Sequence, residues 1–130
     1  MTQEEKQLLL IDLCARLPYE VKCVFHSKNG DIPSTIVTID IENEMVSNKP
    51  DGQSLVYVHS IDTIKPYLRP MSSMTEEERI YFQRDSWFDA EQILSHSILL
   101  VDWLNEHHFD YRGLIPKGLA LEAPEGMYNV

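Results

Sequence analysis

The densest set of chemically capable side chains lies between residues 96 and 110. Asp102 and Glu106 are four residues apart and share one face of a helix. With the neighbouring imidazoles, His96, Asp102, His107, His108 and Asp110 could ligate a divalent metal and serve a metal-dependent enzyme. The spacing matches no zinc motif, for there is no H-E-x-x-H, no C-x-x-C and no paired H-x-x-E. Histidines in the last turn of a helix also meet its negative dipole end and its free carbonyls, and that helix-end role is the preferred reading.

Three other groups carry side chains capable of chemistry. Asp40, Glu42 and Glu44 could project from one strand face and hold a hard cation, but such a row more often forms a solvated face that discourages edge pairing. Ser72, Ser73 and Thr75 precede a helix start where backbone N–H groups can meet an anion, yet Glu76, Glu77 and Glu78 follow and would repel it. Cys14 and Cys23 sit among Leu, Ala, Val and Phe with no charged partner to activate a thiol, and no serine lies in a G-x-S-x-G elbow. Both cysteines read as reduced core residues. No catalytic residue and no cofactor is assigned.

Most of the aromatic residues fall between positions 67 and 111. Trp87 and Phe88 stand between two helix signals, in a connection of the kind that runs over a protein surface. A large apolar pair there needs cover, so Trp87, Phe88 and the nearby Tyr81 are the candidate partner-binding residues.

The elements that must carry these groups follow from periodicity. Thr2 and Glu5 form a capping-box pattern, and Leu9, Leu10, Leu13, Cys14 and Leu17 recur at helical spacing until Pro18, which predicts a helix over residues 3–16. From Tyr19 the period is two. Val21, Cys23 and Phe25 alternate with Lys22 and Val24 and lead to the hairpin dipeptide Asn29-Gly30. The partner strand, residues 35–41, is predicted to bury Val37, Ile39 and Ile41 and to expose Thr38 and Asp40. Short strands near 44–47 and 54–59 flank a second turn at Lys49-Pro50-Asp51-Gly52. Residues 60–64 read as one helical turn. Residues 65–70, with prolines at Pro66 and Pro70, read as an edge strand.

This order matches a small SH3-like barrel or antiparallel meander. A second capping box, Thr75 and Glu78, opens a short helix, and Asp89 opens a third with apolar residues on nearly every side, predicted to be largely buried. After His108 the chain is irregular but apolar, and is expected to wrap back onto the body. The fold class is therefore α+β: one domain over 1–130, with helix plus small sheet over 1–70 and a helical part with a wrapping C-terminal segment over 71–130.

Composition restricts the function classes. Against 11 Lys and Arg stand 21 Asp and Glu, a net charge of -10 shared between both halves of the chain. Phosphate contacts need cationic side chains, so nucleic acid is not expected as a partner. The longest apolar runs have four residues, far short of the ~20 needed to span a bilayer. Two glutamates stand where a secretory signal would carry basic residues, so no membrane association and a cytoplasmic location are expected.

Residues 61–78 and 102–128, above all the strings KPYLRPMSSMTEEE and HHFDYRGLIPKGLA, resemble small proteins of no established activity carried by phages, prophages and mobile elements of anaerobic gut bacteria. The resemblance implies a genomic origin and assigns no catalytic residue. The expectation is thus a non-catalytic interaction protein that binds a protein partner or forms a homodimer. The metal-dependent enzyme is one alternative, and an acidic DNA mimic that occupies a nucleic-acid-binding protein is another.

Overall fold

The computed structural model describes residues 1–83 and 90–128. Helix α1 spans Gln3–Arg16. Thr2 Oγ1 accepts from the Glu5 N–H at 3.1 Å, and the Glu5 carboxylate accepts from the Thr2 N–H at 2.9 Å. Leu9, Leu10 and Leu13 are buried, as their spacing implies. Cys14 is not: it is exposed, while Cys23 is buried. The buried face is turned instead toward Asp12 and Arg16, two charged residues that enter the interior as a pair.

Strands β1 (Lys22–Ser27) and β2 (Gly30–Asp40) form the hairpin around Asn29-Gly30, with Gly30 at φ 114. Strand β3 (Met45–Pro50) pairs with β2, and β4 (Tyr57–Ser60) pairs with β3. After a single 3-10 turn at Ile61–Thr63, β5 (Ile64–Leu68) pairs with the other side of β1. The sheet order is β4-β3-β2-β1-β5-β6, where β6 (Leu121–Glu122) comes from the C-terminal segment and is the one parallel neighbour.

Three expectations are corrected here. The sheet does not close into an SH3-like barrel. It curls strongly, since the rings of Phe25 on β1 and His59 on β4 stack at 3.6 Å although two strands lie between them. Neighbouring strands are separated by about 4.8 Å, so a flat sheet would hold those rings far apart. Yet β4 pairs only with β3 among the described residues. Helix α1 and the turn residue Ile61 supply, on the concave face, the apolar cover that an opposite barrel wall would otherwise provide.

Second, β2 does not bury Val37, Ile39 and Ile41. The register shifts between Ile36 and Thr38, so Ile36 takes the core position, Val37 and Ile41 are exposed and Ile39 is half-buried. A bulge of this kind inverts the alternation past it. Third, β5 is not an edge, because the returning C-terminal segment adds β6 beside it.

Helix α2 (Glu76–Phe82) starts at Thr75 with the predicted capping box, and α3 spans Ala90–Glu106. Among the described residues after α3 the only regular element is β6, so the C-terminal half is less helical than expected. It does wrap back: Leu114, Leu119 and Ala120 join the core of α1 and the sheet. A second cluster gathers Leu100, Leu104 and Phe109, with Tyr81, Phe82 and Trp103 packed against it. Helix α3 is not largely buried. Leu100 and Leu104 are its inward face, while Leu94, Ile98, Leu99 and Val101 face outward.

Candidate functional site

Glu78 and Arg69 set the geometry between α2 and the body. Arg69 Nη1 and Nη2 donate to the two carboxylate oxygens of Glu78 at 2.9 and 2.8 Å, and the guanidinium lies 4.1 Å from the Phe109 ring centroid. The Arg69 backbone bonds both flanks of Phe109, donating to the His108 carbonyl at 2.7 Å and accepting from the Asp110 N–H at 2.8 Å. Because Glu78 also accepts from the Thr75 N–H, one carboxylate caps α2 and ties it to the strand end. Hydrogen bonds from Arg69 hold its carboxyl down at about 2, well below the usual range.

Beside this junction lies a groove of about 630 Å³ lined by Thr75, Glu76, Glu77, Glu78, Tyr81, Trp103 and His107. The Trp103 ring centroid is 4.8 Å from that of Tyr81 and 4.7 Å from that of His107. His107 Nδ1 donates to the Trp103 carbonyl at 3.0 Å. Glu76 and Glu77 are exposed, with no hydrogen bond or ion pair to a described residue. Aromatic faces beside unpaired carboxylates are suited to a cationic side chain.

The outward side of α3 is a second surface, since at about 100° per residue Trp103 and His107 fall on the side of the helix opposite to it. Leu94, Ile98 and Val101 are 67%, 58% and 43% exposed. At about 100° per residue they fall within about 60° of one another, a continuous apolar stripe. Asp102 and Glu106 are exposed beside it.

The sequence-predicted sites fare differently. Tyr81 does line the groove. Trp87 and Phe88 lie outside the described residues. The proposed metal set is not brought together: His96 lies near Tyr81, with ring centroids 6.3 Å apart, and Asp102 is exposed. Asp110 is buried and its two oxygens accept from the N–H groups of Leu114 and Ile115 at 2.8 and 2.9 Å. Among the described residues no group of three or more His, Cys, Asp or Glu side chains is arranged to hold a metal.

His108 is buried at φ 64, stacked on Tyr128 with centroids 3.6 Å apart, and its Nδ1 has no partner. Burial, with Arg16 nearby, pushes its pKa down to about 4, so the ring is neutral. It lines a smaller pocket of about 290 Å³ together with Lys22, Arg69 and Tyr128. The carboxylates of the β2–β3 region do not form a strand row: the Asp40 oxygens accept from the Asn43 backbone and side chain within the turn. Ser73 donates to the Pro70 carbonyl, and Thr75 serves as the helix cap. Burial pushes the Cys23 thiol up to about 12, which keeps it protonated.

Sequence reasoning missed the buried polar groups that join α1 to the C-terminal segment. Arg16 Nε donates to Asp12 at 2.7 Å and Arg16 Nη2 to the Phe109 carbonyl at 2.6 Å. Arg112 donates to the same Asp12 carboxylate and to the Tyr111 hydroxyl, which in turn donates to Asn105. The i, i+4 spacing of Asp12 and Arg16 was the available signal, but it describes a surface pair equally well. Among the described residues no helix is long and apolar enough to cross a membrane. No protein-family model, curated protein or solved structure matches the chain.

Proposed function

We propose that the chain is a non-catalytic protein-binding module of mobile-element origin that docks an amphipathic helix of another protein along α3. The carrying observation is the exposed stripe Leu94, Ile98 and Val101. An apolar stripe at helical spacing is the complement of a partner helix with anchors at i, i+4 and i+7. Charge selects the partner's flanks. Asp102 and Glu106 border the stripe, and the chain carries a net charge of -10. A partner with Lys or Arg beside its apolar face meets these acids. The origin is supported by the resemblance of residues 61–78 and 102–128.

The test uses a synthetic helix-forming peptide with leucines at i, i+4 and i+7 flanked by lysine and arginine, and the same peptide with glutamate flanks. Fluorescence anisotropy should detect the basic peptide alone, and Ile98→Glu should weaken it at least tenfold. Equal binding of both peptides, or no effect of Ile98→Glu, would overturn the reading. Self-association that Ile98→Glu abolishes would replace the partner helix by a second copy.

A further inference from the structure

We infer that the outer edge of β4 pairs with β4 of a second copy of this chain, antiparallel about a twofold axis, giving a continuous sheet across a dimer. This surface is distinct from the α3 face and does not depend on the function proposed for it. In the sheet order β4 is terminal and bonds only β3, so its other side presents unpaired backbone N–H and C=O groups among the described residues. Residues 55–58, which lead into and begin β4, are all exposed, Leu55 at 64% and Val58 at 63%, while His59 and Ser60 are half-buried with His59 stacked on Phe25, so the apolar open part lies at the start of the strand.

The two edges of the sheet are treated differently. At the far edge β6 is two residues long, carries exposed Glu122 and is followed by Pro124. Those are the usual devices that stop edge-to-edge pairing. β4 has none of them. Its register with β3 is regular, with no bulge, and residues 53–61 contain no charged residue and no proline.

Charge makes a second copy the occupant. A chain with a net charge of -10 repels its own kind over most of its surface, and a neutral stretch is where two copies approach without like charges in contact. Identical strands paired antiparallel form a self-complementary, closed interface, in which each copy supplies and receives the same contacts. Tyr57, 43% exposed and 6.4 Å from the His59 ring, adds an aromatic surface to the pair. A strand pair of this length alone covers less than the ~1,200 Å² of a standard stable interface, so the dimer is expected to be weak, with micromolar dissociation.

Sedimentation of the full chain from about 10 to 500 µM brackets that range. Dimer is expected to form within it, and Val58→Lys to weaken dimerisation at least tenfold. Hydrogen exchange at residues 55–59 is expected to slow as concentration rises. Val56→Pro is the second variant: residue 56 lies outside the ladder to β3, so the proline removes an N–H without breaking an internal strand bond. It should also yield monomer with unchanged circular dichroism, while Ile98→Glu leaves the dimer intact. A monomer throughout the range, or a dimer that both β4 variants leave unchanged, would overturn the inference. A dimer lost only in Ile98→Glu would overturn it too and would assign self-association to α3.

Discussion

Arg69 closes on Glu78 through two charge-assisted hydrogen bonds, Nη1 to Oε2 at 2.9 Å and Nη2 to Oε1 at 2.8 Å, across nine residues of chain. The pair is nearly removed from water, and the same carboxylate caps α2 through the Thr75 N–H. Loss of either partner therefore strands a buried charge and loosens a helix that walls the α2–α3 groove.

Glu78→Gln should cost about 3–5 kcal/mol of unfolding free energy, the usual loss when one member of a buried pair is removed. The pH dependence has a definite sign. The folded carboxyl titrates at about 2, below its ordinary value of 4.5, so its contribution is present above about 4.5 and is lost as pH falls toward 2. Chemical denaturation between pH 2 and 5 should show a shallower slope in the variant.

His108 acts over a different window. Its folded pKa of about 4 lies below the ordinary 6.5, so the unfolded chain binds the proton more readily between these values and stability falls as pH drops from 6.5 to 4. His108→Phe keeps a ring on Tyr128 and removes the titration. Its melting temperature should be flatter than wild type between pH 4 and 6.5. An unchanged profile would show that the imidazole is not the titrating group.

Tyr128 holds the C-terminal segment against two strands. Its hydroxyl accepts from the Lys22 N–H at 3.0 Å and donates to the Tyr67 carbonyl at 2.8 Å, joining β1 to β5. Tyr128→Phe leaves both groups without this partner and should cost about 1–3 kcal/mol. Limited proteolysis after residue 122 should quicken, and unchanged proteolysis and stability would count against the latch.

Glu76→Gln with Glu77→Gln removes the unpaired charge of the α2–α3 groove at exposed positions. The fold should be unaffected within about 0.5 kcal/mol. Affinity for the basic peptide should fall by less than in Ile98→Glu and lose part of its salt dependence, as expected of charges that attract at longer range. Undiminished affinity would remove the groove acids from the binding surface.

Local chemistry in the sequence determined the two capping boxes, the length of α1, the Asn29-Gly30 hairpin and the strand meander, because each depends on residues a few positions apart. Thr2 and Glu5 reach each other within one helical turn wherever the helix lies. The return of the C-terminal segment was also legible, since Leu114 and Leu119 are too apolar to remain in water. Tyr81 stood in the sequence only as a partner-binding candidate, and its place against Trp103 in the wall of the groove came from the fold.

Only the tertiary structure decided whether the sheet closed, which face of α3 was inward and which polar groups entered the interior. Closure depends on what covers the concave face, and α1 covers it from outside the sheet. The burial of β2 turned on one bulge past Ile36, which no alternation pattern records. The histidines and aspartates of residues 96–110 read as one cluster along the chain. In space Asp110 turns to two backbone N–H groups and His108 to Tyr128, because buried backbone donors and an aromatic face from other segments reach them first.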